Sequence, residues 1–304
     1  MSASFAVLLA LSSATSVPAI DAGSSARVQG AALAAACKSR DGWSDPAPPA
    51  RIFGNTWYVG TCGISVLLIT GRDGHVLIDS STAEAAPAIL ASIRQAGFDP
   101  RDIRLIVGSH EHYDHMGGVA ALKNATGARF VVRGAARAVL ESGRVASDDP
   151  QRGMLADMAP VTVDRSIADG EVLRLGNLAL TAVATPGHTA GGTSWTWRVC
   201  ERSRCLNFAY VDSLTAVSAE TYRFTDHPER VAPFRTTFAK VARLRCDVLL
   251  TPHSSPSNLL ARLAGMEPLV DRNACARLSK ASAHRLDERL AREAGTGSAA
   301  GQRD

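Results

Sequence analysis

His110-Glu111-His112-Tyr113-Asp114-His115 packs three imidazoles and one aspartate into six residues, directly after the apolar run Leu105-Ile106-Val107 and the pair Gly108-Ser109. In extended chain, residues two apart point to the same side, so His110 and His112 face one ion together. Asp114 and His115 follow where the chain turns toward a helix near Met116-Gly117-Gly118, a position from which they address a second ion. The two glycines allow the backbone to turn tightly behind the cluster. Imidazole and carboxylate together are the ligand set of zinc or another borderline divalent metal. Three imidazoles and a carboxylate buried side by side without a metal would be costly.

Working outward, five of the eight histidines sit where short apolar runs end: these three, His188 after Thr185-Pro186-Gly187, and His253 after Thr251-Pro252. Functional side chains concentrate where a rigid sheet hands the chain to loops. Before the cluster, Trp57–Val59, Ile64–Ile69 and Val76–Ile78 read as strands punctuated by Gly60, Gly63 and the turn at Gly71-Arg72-Asp73-Gly74. Glu84–Ala96 has a helical pattern with Ile89, Leu90 and Ile93 on one face. After the cluster, Val161–Val163, Val172–Leu175, Leu178–Val183, Ser194–Val199, Leu206–Val211 and Asp247–Leu250 read as strands, with a helix over Pro228–Leu244. Two αβ halves without a linker predict one domain, residues 51–294, built of two sheets face to face with helices outside. Residues 20–50, rich in Ala, Ser and Pro, read as an extended arm, and 295–304 as a frayed tail.

The 304 residues are 46% hydrophobic and 20% charged, a globular composition that excludes a disordered chain. A net charge of +4 with dispersed Lys and Arg argues against nucleic acid as a partner. The apolar run Phe5–Leu11 followed by Val17-Pro18-Ala19 reads as a signal peptide over 1–19, cleaved after Ala19. No later segment approaches the ~20 apolar residues needed to span a bilayer. The mature chain is therefore expected in the periplasm or medium, without a membrane partner and as a monomer. Six cysteines fit an oxidising compartment. Cys200 and Cys205 would close a hairpin. If bridging joins neighbours, Cys37 pairs with Cys62 and Cys246 with Cys275, although the sequence alone leaves other connectivities open. No Cys-x-x-Cys pair exists to suggest a thiolate zinc site.

His110-Glu111-His112-Tyr113-Asp114-His115 resembles the HxHxDH signature of the metallo-β-lactamase superfamily, and His188 and His253 fall where that superfamily places its next ligands. The resemblance runs from about Thr56 to His253. It implies an α/β, four-layer αββα sandwich holding two Zn2+ ions, the first on His110, His112 and His188, the second on Asp114, His115 and His253. Within the superfamily the chain resembles subclass B3, since subclass B1 has Arg in place of His115 and a ligand Cys in place of Ser213. The segments Asn55–Thr61, Thr185–Trp197 and Asp212–Thr215 carry that likeness. By resemblance, a metal-bound hydroxide attacks the β-lactam carbonyl of penicillins, cephalosporins and carbapenems, an activity that confers antibiotic resistance. Asp114 would orient the nucleophile, and Ser213 and Thr215 would bind the substrate carboxylate. The neighbour pairing of the six cysteines also occurs in some B3 enzymes.

Other residues take lesser parts. Glyoxalase II-like relatives bridge their metals with an Asp at the position of Asp212; the B3 pattern gives the site-facing role to Ser213 and leaves Asp212 structural. Asp79 reads as a hydrogen-bonding residue near the site. Glu111 and Tyr113 alternate away from the ligands and are read as shaping the pocket rim. Trp195 and Trp197 read as packing residues, and His75, His227 and His284 as surface residues. The rival reading is a di-zinc hydrolase of an ester, lactone or thioester. A nuclease would carry a nucleic-acid domain, and no insertion interrupts the chain; a metal-retaining binding module is disfavoured by the filled ligand positions.

Overall fold

The computed structural model describes residues 22–300, with side chains described from 25 to 295. The expected signal peptide lies outside the described residues. Helix α1 (Ala22–Ala36) precedes the strands β1 (Ala50–Phe53), β2 (Thr56–Tyr58), β3 (Leu67–Ile69) and β4 (His75–Ile78). Helix α2 (Ala86–Gln95) leads to β5 (Ile103–Val107), and the short α3 (Tyr113–Met116) and α4 (Val119–Thr126) lead to β6 (Arg129–Arg133). Helix α5 (Arg137–Ser142) and strand β7 (Arg165–Ile167) complete the first half. The second half comprises β8 (Val172–Leu175), β9 (Leu178–Ala184), β10 (Thr193–Glu201), β11 (Arg204–Tyr210), α6 (Pro228–Val241), β12 (Val248–Leu250), α7 (Leu259–Leu263) and α8 (Ala274–Ala300).

Strands β1 to β7 form a seven-stranded sheet in sequence order, and the second sheet runs β12-β11-β10-β9-β8. Period-2 alternation sorts each strand's side chains between two cores. Leu67, Ile69, Leu105 and Val107 point between the sheets against Leu180, Trp195, Phe208 and Val248. Leu68, Leu77, Ile106 and Phe130 point outward against Ile89 and Ile93 of α2 and Val119 and Leu122 of α4. On the far side, Ala209, Val211 and Leu249 meet Phe234, Phe238 and Val241 of α6 and Leu286 of α8. Both faces of each sheet are covered, which is why β3 and β12 are apolar throughout. Trp195 and Trp197 are buried in the central core, as packing residues should be. Among the described residues, no helix is long and apolar enough to cross a membrane.

Three expectations differ from the structure. Residues 22–36, expected in an extended arm, are helical; their alanines favour helix intrinsically, and Leu33 is buried in the central core. A side chain in place of Gly30 would meet the backbone oxygen of Leu263, so this glycine lets α1 lie close to α7. Residues 161–163 are not a strand: Val161 donates its N–H to Leu140 O in α5, and the ladder with β6 begins only at Arg165. Helix α8 continues through Ala300, beyond Gly295 where fraying was expected.

Disulfides join Cys37 to Cys62, Cys200 to Cys205 and Cys246 to Cys275. The last ties the entry of β12 to the first turn of α8 across 29 residues, whereas the second closes a hairpin across only 5. Chain entropy then predicts a loss of about 3–4 kcal/mol on replacing both Cys246 and Cys275 by Ser, and about 2 kcal/mol for the Cys200 and Cys205 pair. Denaturant titrations of the two double variants check the order; a reversed order would contradict it.

Candidate metal centre

Direction of the strands gathers the site. Strands β4 and β5 are parallel, so Asp79 and the His110 cluster leave the first sheet at the same end. In the second sheet β11 and β12 are parallel, and β9 shares their direction because both β9 and β11 pair antiparallel with β10. The loops carrying His188, Asp212 and His253 therefore emerge together. Thr193 N donates to Ser109 O at 2.7 Å, linking the two sheets at this edge.

His110, His112 and His188 converge, with ring centroids 4.7–5.0 Å apart. Each offers a ring nitrogen close enough to the others to share one ion. Their opposite nitrogens are engaged elsewhere: His110 Nδ1 with Asp212 Oδ1 at 2.8 Å, His112 Nε2 with Asp149 Oδ2 at 2.9 Å, and His188 Nδ1 with the carbonyl of Thr215 at 2.8 Å. His110 Nε2 is buried without a hydrogen-bond partner. Burial and the neighbouring imidazoles push His110 well below its ordinary pKa, and burial with His112 pushes His188 down to about 3. Neutral imidazoles, one with an orphaned nitrogen, fit the donor set of a borderline divalent metal.

Beside this triad, Asp114 Oδ2 lies 3.1 Å from His115 Nε2 and 3.3 Å from His253 Nε2, and the two imidazole nitrogens are 3.3 Å apart. Three donor atoms thus face one another. His110, Asp114 and His115 can also share an ion, so the two groups are contiguous through His110. Burial works against ionising Asp114, but the charge of His115 and hydrogen bonds from His115 and His253 hold its carboxyl far below the usual range. Burial likewise opposes the charge on His115, and Asp114 with Asp79 overcomes it, raising His115 to about 10. Asp79 Oδ2 stands 3.3 Å from His115 Nδ1 on the side away from Asp114.

Several residues take places the sequence did not indicate. Asp212, read as structural, is buried directly behind His110 and meets its Nδ1. Asp149 and Gln151, which the sequence reading passed over, reach the first triad; Gln151 Nε2 is 3.4 Å from His188 Nε2. Their segment Asp148-Asp149-Pro150-Gln151 has the composition of a turn, which carries no sign of a site. Glu111 does turn away from the ligands, but it is buried, not on the rim. Its carboxylate accepts from Thr189 Oγ1 and Gly191 N, both at 2.8 Å. Gly191 passes so close that an added Cβ would lie 2.4 Å from Glu111 Oε2. Glu111 therefore ties the His188 loop to the His110 loop. Glu111→Ala leaves two buried donors unpaired, each costing about 1–3 kcal/mol. We expect a loss of 2–4 kcal/mol, on the order of that sum, in denaturant unfolding of the metal-free chain; a change below about 1 kcal/mol would refute the tie.

Tyr113 does not shape the rim either: its hydroxyl donates to Glu84 Oε2 at 2.5 Å on the outer, helical side. Gly117 and Gly118 adopt right-handed helical angles, so they supply room rather than a tight turn; a Cβ on Gly118 would meet Ser80 O at 2.4 Å. His75 is buried edge-on against Phe98, not on the surface. His284 is exposed, and His227 is half-buried with its ring stacked on Tyr222.

A cavity of about 230 Å³ opens beside His253, lined by Ser213, Thr215, Ser255, Ser282 and Arg285 among others. Its hydroxyl and guanidinium groups suit a carboxylate.

The metallo-β-lactamase superfamily model matches residues 59–200. The chain is 54% identical to the metallo-β-lactamase MIM-1 from Novosphingobium pentaromativorans, with a TM-score of 0.85, covering 87% of this chain and 98% of that one. It is 41% identical to MEM-A1, a subclass B3 metallo-β-lactamase from a soil metagenome library, with a TM-score of 0.81 over 84% of this chain and 100% of that one. It is 29% identical over 181 residues to the hydroxyacylglutathione hydrolase of Polaromonas sp., 59% of this chain and 58% of that protein. The chain thus spans less than two thirds of the length of that curated relative.

Proposed function

The chain belongs to the metallo-β-lactamase superfamily and, within it, to the subclass B3 enzymes, and from that premise we propose that it hydrolyses the β-lactam amide of penicillins, cephalosporins and carbapenems with two zinc ions. The observation that carries this reading is the convergence of two contiguous donor groups beside a cavity lined by hydroxyls and a guanidinium. His110, His112 and His188 would hold one ion, and Asp114, His115 and His253 the other. Zinc bound there supplies Lewis acidity, polarising a carbonyl and making water a nucleophile near neutral pH.

The chain's own groups do the rest. Asp114, kept ionised by His115 and His253, accepts a hydrogen bond from the attacking water and orients it toward the carbonyl carbon. Ser213 and Thr215 donate their hydroxyls to the carboxylate on the fused ring, fixing the amide over the donor groups. Asp212, Asp149, Asp79 and the Thr215 carbonyl restrain the four imidazoles they face, so the cluster needs little rearrangement during reaction. Export fits this reading, since three disulfides persist best in an oxidising compartment. We place the mature chain, freed of residues 1–19, in the periplasm or medium as a monomer; release there would confer antibiotic resistance.

The likeness to hydroxyacylglutathione hydrolases favours a second reading, hydrolysis of a thioester, ester or lactone. Against it, Asp212 is bonded to His110 Nδ1, which favours a backing role over one between two metals. Turnover of one penicillin, one cephalosporin and one carbapenem, beside a lactone and a glutathione thioester, decides between them. Cleavage confined to the thioester or lactone would end the β-lactamase reading.

A further inference from the structure

We propose that Asp149 is a positioning residue that fixes the ring tautomer of His112, so that its loop governs metal uptake by the first triad. The inference rests on the reading of His110, His112 and His188 as a metal site. Asp149 lies on the irregular segment between α5 and β7, 37 residues from His112, yet it is only 8% exposed. Its two carboxylate oxygens have separate tasks. Oδ2 meets His112 Nε2 at 2.9 Å, and Oδ1 accepts from the backbone N–H of Gln151 at 2.7 Å. The loop around it is pinned independently of the histidines: Ala219 N donates to Pro150 O at 2.8 Å, and Arg230 Nη2 donates to Asp148 O at 2.5 Å.

An ionised carboxylate only accepts hydrogen bonds. Facing one, His112 must carry its proton on Nε2, which leaves the Nδ1 lone pair free to face the triad. A ligating imidazole is usually held this way by its second nitrogen, and loss of such a partner costs about 10–100-fold in metal affinity. The second oxygen makes the argument specific to this chain. Both partners of Asp149 are donors, so the position needs two acceptors.

Asp149→Asn supplies only one. The fixed Gln151 N–H takes the amide oxygen, and the amide NH2 then points at His112 Nε2. A donor there draws the lone pair to Nε2 and moves the ring proton to Nδ1, closing the ligating nitrogen. Asp149→Ala merely removes the constraint and leaves the ring free to choose. A purely structural role would rank the variants the other way, with the near-isosteric Asn the milder change.

The test is zinc titration of the purified full chain against a competing chromophoric chelator, with elemental analysis of bound zinc and the thermal midpoint of each metal-free protein. We expect wild type to hold two zinc ions. Asp149→Asn should hold one at wild-type strength and the other about 100-fold more weakly, and Asp149→Ala should lose only about 10-fold. The metal-free Asn variant should melt near wild type. Asn binding both ions as tightly as wild type, or no more weakly than Ala, would overturn the proposal. Wild type binding no zinc at all would instead remove the metal-site reading, and this inference with it.

Discussion

Dialysis of the purified chain against EDTA is expected to abolish β-lactam hydrolysis, and stoichiometric zinc to restore it. Removing a single preorganised electrostatic group from an active site costs about 10²–10³-fold in turnover. Chelation removes the Lewis acid altogether and leaves an Asp–His–His group with no other electrophile at the reacting carbonyl, so the fall should exceed that range. The structure also separates the residues proposed to hold the two ions. Among the described residues, His188 belongs to the first triad alone, and the His253 ring nitrogen meets Asp114 and His115. His188→Ala should therefore empty the first site while the second stays filled, and His253→Ala should do the reverse. Elemental analysis after mild dialysis reads this directly; equal loss of both ions in both variants would mean that the groups act as one site. Hydrolysis that neither falls with EDTA nor recovers with zinc would remove the metal mechanism.

Much of this site was legible because its information is local. His110, His112, Asp114 and His115 lie within one turn of chain after an apolar strand, and spacing alone brings them together. His188 and His253 needed the strand-end pattern and the family resemblance, since nothing local relates residues 65 or more positions away. What escaped was whatever depends on long-range approach. Alternation correctly turned Glu111 away from the ligands, but its burial is created by the return of the Thr189–Gly191 loop 80 residues later. Asp149 reaches His112 from a segment without periodicity, so no pattern announces it. Val161 and Val163 are buried and alternate like a strand, yet their neighbour is α5 rather than a strand edge. His75 was misplaced because the turn before it suggested exposure, whereas Phe98 covers its ring.

Asp79→Ala is expected to be the most damaging single substitution outside the metal ligands. Asp79 is fully buried at the end of β4, with φ at 64°, in the left-handed region that Asp and Asn tolerate better than Ala. Its carboxylate accepts from Ser109 N, Ser109 Oγ and Tyr210 OH, each at 2.7 Å, and faces His115 Nδ1 at 3.3 Å. It therefore ties β4, the His110 loop and β11 of the opposite sheet together. Truncation to Ala strands Ser109 N and Ser109 Oγ and removes the partner of His115 Nδ1 in a dry interior, at about 1–3 kcal/mol each, while Tyr210 OH keeps the carbonyl of Ser65 at 2.8 Å. With about 1 kcal/mol more for Ala in the left-handed region, the sum should be at least about 4 kcal/mol, which for a chain of this size lowers the thermal midpoint by roughly 8–16 °C. Asp79→Asn distinguishes the fold from the site. Its amide keeps the shape, the backbone angle and one acceptor; Tyr210 OH can donate to Ser65 O instead, and Ser109 Oγ can rotate to accept one of the two N–H groups, leaving the other for His115. His115 cannot adapt without cost: an amide donor facing Nδ1 favours a proton on Nε2, the nitrogen turned toward Asp114 and His253. The Asn variant should then melt within a few degrees of wild type and yet bind the second zinc about 10–100-fold more weakly. Thermal unfolding of the metal-free proteins, paired with zinc titration, reads the two effects separately. An Ala variant within about 1 kcal/mol of wild type, below the cost of a single stranded donor, would show that Asp79 does not join the sheets as described.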